Sequence, residues 1–353
     1  MNVIAADVGG TKTRFVFADA EEGGKVLYEA RYLSGDFDSF EPMLQTFIKE
    51  SGLAGAMMHS NRIDALTLAL PGLVSDSSAR LTNLPWVIKK QALKDLFAIK
   101  NVYFMNDFQA SAFGTGQLLE EDLVILNAGA SELNENPGGL QGGLQVSTTR
   151  VAVGAGTGLG VAWAEGNKAT ACAHDTEGGH IDFAPTDDTQ IRLLQFLQQR
   201  FAHVSYERIL SGSGLVSLYQ FCAGKNCADD IVSAEWINNQ SSTDAAADKA
   251  LSLFVQIYGA YIGNIALLFK PHGGIYITGG IAGKILNKMQ SEEFINAYLN
   301  KGRMRSLVEQ IAVYLVTDER VGVLGALSEA VRMQHEQIQD ESNQQPSIQQ
   351  VSK

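Results

Sequence analysis

The chain has 353 residues, of which 45% are hydrophobic, with 27 Lys and Arg against 39 Asp and Glu and a formal net charge of −12. That length exceeds what one hydrophobic core usually supports, so two domains are expected, and a mean hydropathy near zero is that of a soluble globular protein. The acidic balance argues against nucleic acid or anionic membrane as the main partner, because phosphate neutralisation needs clustered Lys and Arg, and neither an apolar run of roughly 18 residues nor a basic, apolar leader is present.

From the N-terminus, residues 2–6 read as a strand, Asp7-Val8-Gly9-Gly10-Thr11-Lys12-Thr13 as a turn and residues 14–18 as a return strand. A further strand is expected over 26–32. A helix follows over 40–51, with Phe40, Met43, Leu44, Phe47 and Ile48 at helical spacing. Residues 63–70 form a buried strand closed by Pro71-Gly72. Residues 93–98 read as helical and 102–105 as a short strand, which runs into Asn106-Asp107 and a helix-compatible stretch to Phe113. This is an α/β pattern with a mixed sheet.

Residues 128–145 are polar and glycine-rich and read as an exposed loop. Beyond them, Gly154-Ala155-Gly156-Thr157-Gly158-Leu159-Gly160 carries glycine at every second position between two strand signals. A dinucleotide fingerprint would need strand, turn and helix, with glycine at the sixth position, where Leu159 stands. The glycines instead let backbone amides approach an anion with no side chain in the way. Aligned on Gly9 and Gly156 with a one-residue gap, Thr11 falls on Thr157 and the flanking strands coincide. The same hairpin thus occurs twice, roughly 147 residues apart, which indicates duplicated domains. Two such hairpins could grip one triphosphate from both sides.

Further on, helices are expected over 191–201 and 214–222, the second with Ser211 as N-cap. Residues 245–269 form a long helix in which Gly259 and Gly263 permit close packing. A strand over 274–278 ends in Gly279-Gly280, with a helix from about Ala282. The last strand spans 311–316 and the last helix 325–337, and residues 339–353, rich in Gln, Ser and Asn, are expected to be a disordered tail. Cys172, Cys222 and Cys227 form no CxxC pair and have no histidine at zinc spacing, so they read as buried or semi-buried free thiols in a reducing cytoplasm.

Several residues carry possible chemistry. Asp7, entering the first glycine turn, can hold the water shell of Mg2+ or simply bond its own turn; the Gly-Gly-Thr behind it favours the metal. Asn106-Asp107 lies at a strand's carboxyl end, where α/β sheets place ligands. On spacing alone, Asp107 as proton acceptor with Asn106 orienting a substrate, and a plain helix N-cap, stand even. Glu177-Gly178-Gly179-His180 has Glu-x-x-His spacing, but its glycines disfavour a helical metal site and suit a loop presenting both side chains to a polyhydroxylated ligand. Residues 278–285 fail as a Walker motif, with Thr278 and Ile285 at the wrong positions. Thr278-Gly279-Gly280 can still pack against adenine or ribose, or merely start a helix.

Together these motifs resemble those of bacterial-type glucokinases of the actin-like sugar kinase superfamily. Asp7-Val8-Gly9-Gly10-Thr11 resembles the first phosphate motif, residues 154–160 the second and Thr278-Gly279-Gly280 the adenosine motif. Residues 81–86, 105–108, 177–185 and 205–212 also match the family's patterns, and the likeness runs from Ile4 to about Met333. It implies an α/β, two-domain actin-like ATPase (ribonuclease H-like) fold with an interdomain cleft. The expected small domain is 1–117 with 318–338, and the large one 118–317. It implies Asp107 as catalytic base on the glucose 6-hydroxyl, and Asn106, Glu177, His180 and Glu207 as sugar ligands. ATP would lie on Asp7, Gly9, Gly10, Thr11, Lys12, Gly156, Thr157, Gly158, Gly279 and Gly280, with Mg2+ held by Asp7 through water. Glu207 is named on the resemblance alone, and Lys12 stands where the family varies. The CxCGxxGC zinc cluster of the related repressor and kinase family is absent from the sequence. The resemblance further implies a cytoplasmic homodimer. A sugar-sensing regulator usually adds a DNA-binding module ahead of the first hairpin, and an assembly ATPase has no evident use for the Glu-Gly-Gly-His loop.

Overall fold

Alternating apolar positions fold the first thirty-three residues into an antiparallel meander of β1 (Asn2–Val8), β2 (Lys12–Asp19) and β3 (Lys25–Leu33). The computed structural model describes residues 1–53, 63–130, 149–166, 171–224 and 232–344. The chain divides into two units, Met1–Gln117 with Arg320–Lys353, and Leu118–Glu319.

In the first unit the nearly all-buried β4 (Ile63–Leu70) joins β1 in parallel. The short β5 (Gly72–Val74), β6 (Ser78–Leu81) and β7 (Val87–Lys89) form a separate three-stranded sheet, and β8 (Asn101–Asn106) returns parallel to β4. The main sheet has the order β3-β2-β1-β4-β8. Helix α1 (Phe40–Glu50) buries Phe40, Met43, Leu44, Phe47 and Ile48 against one face of it, with Phe15 stacked on Phe40 and Phe47 at 5.7 and 4.9 Å between ring centroids. Helix α2 (Lys90–Phe97) leads into β8, and α3 (Asp107–Gly114) leaves it.

The opposite face is lined with small side chains, among them Ala5, Ala18, Ala65 and Ala69. Ala110 of α3 and Val323, Ala326 and Ala330 of the C-terminal helix Val321–Gln344 pack onto them. That helix crosses α3 so closely that a Cβ at Gly325 would run into the Ala110 carbonyl, and one at Gly114 into the Val321 carbonyl. The expected disordered tail is corrected in part. The helix continues to Gln344, through a stretch of Glu and Gln whose helix propensity is good; the remainder of that tail lies outside the described residues.

The second unit repeats the plan. Its sheet has the order β12-β11-β10-β13-β14-β9, formed by β9 (Leu123–Asn127), β10 (Arg150–Ala155), β11 (Leu159–Glu165), β12 (Cys172–Thr176), β13 (Ile275–Thr278) and β14 (Val313–Val316). The hairpin β10–β11 and the parallel strands β13 and β14 take the places of β1–β2, β4 and β8, with β9 antiparallel at the edge. Four residues separate the last pair of the first hairpin, Val8 and Thr13, and three separate Ala155 from Leu159. This is the one-residue gap read from the sequence.

Helices α4 (Asp188–Gln198), α5 (Gly212–Ala223) and α6 (Ala234–Gln240) surround α7 (Ala245–Phe269), the core of the unit. The α7 helix is long and apolar enough to cross a membrane, contrary to the expectation that no apolar stretch qualifies, yet most of that stretch is buried within the unit. Gly259 and Gly263 of α7 take the backbone of helix Glu292–Leu299 in close contact, as expected of them. Of the thiols, Cys222 is half-buried as expected, whereas Cys172, on edge strand β12, is exposed; Cys227 lies outside the described residues, as does most of the 128–145 loop.

The close helix crossing leads to a stability test. Gly325→Ala places a methyl group against backbone that cannot turn aside and is expected to destabilise the protein by about 2–4 kcal/mol. Gly283→Ala, where no atom lies within 4 Å of the new methyl, is expected to be neutral or slightly stabilising. Thermal melts of the two variants showing equal midpoints would contradict the role given to the crossing.

Candidate active site

The parallel register of the first sheet brings three carboxyl-terminal strand ends to one edge. Asp7 pairs across β4 with Ala69, Ala69 pairs with Met105, and Leu70 with Asn106. β1 ends at Val8, two residues beyond the strand read from the sequence, so Asp7 belongs to the strand and not to the turn, and it faces Arg14 of β2 in register. The turn itself is closed by Gly9 N–H donating to the Lys12 carbonyl at 3.0 Å. Ser34 anchors it from β3's end, its Oγ donating to the Gly9 carbonyl at 2.7 Å and its N–H to the Thr11 carbonyl at 2.9 Å. Thr11 and Lys12 are exposed beyond that anchor.

The two readings of Asn106-Asp107 separate in the structure. Asn106 is the N-cap of α3: its side-chain oxygen accepts from the N–H groups of Phe108 and Gln109 at 2.9 and 3.1 Å, and the Gln109 side chain accepts from Asn106 N–H in return. The cap therefore belongs to Asn106, whose side-chain oxygen is engaged and whose amide NH2 is its group for any ligand. Asp107 is the first helical residue, half-buried, where the helix dipole favours a negative side chain. One of its oxygens accepts from Phe108 N–H at 2.9 Å.

Asp7 is affected by that neighbour. Burial of its carboxyl, helped by the charge of Asp107 and opposed by Arg14, pushes its pKa up to about 7. Arg14 is itself held by Glu29 at 2.5 Å. Gly322, in the first turn of the C-terminal helix, leaves room for the Asp7 carboxylate, which stands 2.5 Å from where a Cβ would be. The site's floor is thus built from the far end of the chain, a contribution the sequence reading missed.

The second unit holds the other candidates. Between β10 and β11, Gly156 N–H donates to the Gly158 carbonyl at 2.8 Å, and the Gly156 carbonyl accepts from Gly212 N–H at 2.9 Å. Gly279 follows β13 with a positive φ of 87°, and a Cβ there would meet the Ala155 carbonyl at 2.6 Å. Gly156 and Gly280 are different. No atom lies within 4 Å of a Cβ at either, so internal packing does not call for glycine, whereas close approach of a ligand does.

Glu177-Gly178-Gly179-His180 forms a 3-10 turn whose capping residue is Glu177. It docks on β11: Gly179 packs directly on the Leu159 carbonyl, and Tyr261 of α7 donates to the Gly178 carbonyl at 2.8 Å. His180 stands 3.7 Å from Glu177 and 3.8 Å from Glu207. Glu207 sits on the 3-10 turn Tyr206–Arg208, set by the buried Tyr206, which stacks near Tyr261 and accepts from Asn264 at 3.1 Å. The structure thus brings Glu177, His180 and Glu207 into one group. Glu207 also accepts from Leu159 N–H at 3.0 Å, at the foot of the glycine loop. Among the described residues no cluster of His, Cys, Asp and Glu is arranged to hold a metal ion on protein ligands alone.

Residues 4–333 match the family model described as "Glucokinase". A glucokinase of Nostoc punctiforme is 32% identical over 360 residues, covering 94% of this chain and 99% of that protein. The crystal structure of a glucokinase from an Antarctic psychrotroph superposes with a TM-score of 0.77 at 26% identity, covering 93% of this chain and 98% of that one. A ROK-family glucokinase of Streptomyces griseus, solved with glucose and AMPPNP, has the same fold at a TM-score of 0.58 and 20% identity, covering 94% and 99%.

The raised Asp7 pKa has a consequence for stability. Its ordinary value is 3.8 and its folded value about 7, so between these the folded state holds a proton that the unfolded chain has lost. Stability therefore falls as pH rises from about 4 to about 7, and above pH 7 the ionised carboxylate costs about 2–4 kcal/mol. Asp7→Asn is expected to melt at a higher temperature than the wild type at pH 8, and at the same temperature below about pH 4. Equal midpoints at pH 8 would remove this account.

Proposed function

The chain belongs to the glucokinase family, and from that premise we propose how its residues divide the transfer of the γ-phosphoryl group of ATP to the 6-hydroxyl of D-glucose. The observation that supports the division most directly is the capping of α3 by Asn106. With the cap served by its neighbour, Asp107 is left at the strand edge, beside Asp7, as the base.

In this reading Asp107 accepts the proton of the 6-hydroxyl as that oxygen attacks the γ-phosphorus, and the bond to the β-phosphate oxygen breaks to release ADP. Asn106 orients the sugar with its amide NH2. Glu177, His180 and Glu207 bind the other hydroxyls, each able to accept a hydrogen bond. Backbone amides of Gly10 and Thr11, with Lys12, and of Thr157 and Gly158 spread the charge of the transferring group, while Gly9 and Gly156, whose N–H groups close their own turns, leave the ligand room by lacking a side chain. Gly279 and Gly280 lie against the nucleoside. Such positioning and charge stabilisation supply most of the catalysis in phosphoryl transfer.

Asp7 is the residue that would hold Mg2+, through water, and the ion arriving with the nucleotide would supply neutralisation of phosphate charge. Asp7 suits that role, because its carboxyl, raised first by burial and then by the charge of Asp107, gains from a cation nearby. The family resemblance supports a cytoplasmic homodimer whose product, glucose 6-phosphate, enters glycolysis.

The central experiment is ADP release in a coupled assay with and without glucose, and release that ignores glucose would sink the reading. Asp107→Asn is expected to lower kcat about 10²- to 10⁴-fold while glucose still binds; near-normal turnover would take the base role from Asp107. Gly156→Ala separates ligand contact from packing. Its backbone lies outside the positive-φ region and its Cβ meets no neighbour, so the thermal midpoint should hold while the KM for ATP rises severalfold. A fall in stability with an unchanged KM would reverse that assignment.

A further inference from the structure

Leu159, the first residue of β11, is gripped through both of its peptide groups. Its N–H donates to Glu207 Oε2 at 3.0 Å, and its carbonyl lies against Gly179. The first contact belongs to the foot of the glycine loop and the second to the Glu177–His180 turn. Glu207 completes the circuit, because its other oxygen faces His180 Nδ1 at 3.8 Å. Gly158 shows how tight the fit is. A Cβ there would stand 2.5 Å from Glu207 Oε2 and 3.3 Å from its carboxyl carbon, so the loop residue is a glycine in order to admit this carboxylate, whatever else it admits.

Glu207 is held firmly enough to transmit a displacement. Its backbone lies in a 3-10 turn whose first residue, Tyr206, is 2% exposed and fixed by Asn264, Tyr261 and Phe183. The neighbouring strand segment pairs Asp182 with Ser205 and bonds Tyr206 N–H to the Ile181 carbonyl, tying this turn to the one that carries His180. Little in this assembly can move alone.

We propose that Glu207 is a positioning residue that couples the two binding events: by accepting from Leu159 N–H it holds the phosphate loop in place, and by facing His180 it makes that hold depend on the occupant of the sugar turn. The proposal rests on the reading of Glu207 as a sugar ligand and adds a second task to the same carboxylate. A sugar hydroxyl bonded to one oxygen orients the other, so glucose strengthens nucleotide binding, and by linkage nucleotide strengthens glucose binding by the same factor.

The test uses the full-length enzyme and separates the two tasks by titration calorimetry. With no sugar present, Glu207→Ala is expected to weaken ADP binding about 5- to 50-fold, although ADP touches no part of a sugar site. Glu207→Gln keeps an oxygen for Leu159 N–H and loses the carboxylate charge; it should hold ADP affinity within about twofold of wild type while glucose binding falls. Gly158→Ala, which pushes the carboxylate away from the loop side, is expected to weaken glucose binding measured with no nucleotide. In the wild type, saturating glucose should tighten AMPPNP binding about fivefold or more, and both Glu207→Ala and Gly158→Ala should abolish that tightening. Unchanged ADP affinity in sugar-free Glu207→Ala, or unchanged glucose affinity in Gly158→Ala, would leave Glu207 a sugar ligand only and overturn the coupling. Should Glu207→Ala fail to fold, Gly158→Ala and Glu207→Gln carry the same decision. Failure of the kinase reading is seen separately, as a wild type that binds no glucose, while the sugar-free ADP arm still reports on the Leu159 contact.

Discussion

Peptide backbones meeting with no side chain between them are the constraint on which this protein is built. In the first unit the C-terminal helix lies on α3 through Gly325 and Gly114, and the same helix turn offers Gly322 to the Asp7 carboxylate. Were that crossing a few tenths of an ångström wider, α3 would shift on the sheet, and with it Asp107, its first residue. The separation of two carboxylates is therefore set by the thickness of a glycine contact some distance along both helices. The close packing has a cost, carried by Asp7, whose carboxyl is buried beside a like charge. A carboxylate kept destabilised in the free protein is what a site that receives a cation would be expected to hold.

The second unit applies the same constraint to recognition. Gly179 rests on the carbonyl of Leu159 and Glu207 takes its N–H, so one peptide residue is the meeting point of the two loops. The side chains behind this point, Tyr206, Tyr261 and Asn264, are bonded to one another or to the turn backbone. Their work is to deny the loops alternative positions, which is how a rigid scaffold turns exposed residues such as Glu177 and His180 into a reader of shape.

What could be read from the sequence was local. The hairpins were legible because their glycines, threonines and flanking strands are contiguous in the sequence, and α7 and α1 because their apolar residues recur at helical spacing over eleven residues or more. Strands β5, β6 and β7, with three or four residues each, are too short to show a period. Asn106 and Asp107 could not be told apart as cap and base, since both residue types cap helices well; only the hydrogen bonds assign the cap to Asn106. The contacts that complete the site are non-local. Glu207 bonds a residue forty-eight positions earlier, and Gly322 meets Asp7 from the opposite end of the chain. No pattern in a single sequence encodes those pairings, so Glu207 entered through family likeness and Gly322 did not enter at all.

The repeated strand order explains why the two units do different chemistry on one plan. In each, the strand beside the hairpin is followed within two residues by a glycine at positive φ, Gly72 after β4 and Gly279 after β13, so the chain leaves the sheet in a similar way. The divergence comes one strand further out. After β8 the chain enters a helix at once, capped by its own Asn106, and the capping side chain fills the place at the helix start that an anion would otherwise take. A helix start closed in this way is poorly suited to phosphate and well suited to present the next side chain, Asp107, as a fixed acceptor. After β14 the chain instead passes to the C-terminal helix, which returns to the first unit and packs on α3. In the reading proposed for Asp107, the duplicated position thus serves as the base in one unit and, in the other, as the connection that supplies the base's support. On the same reading, the proposed base and its capping neighbour Asn106 stand on one copy of the plan and the Glu177, His180 and Glu207 group on the other, because a single helix from the end of the chain could brace only one of them.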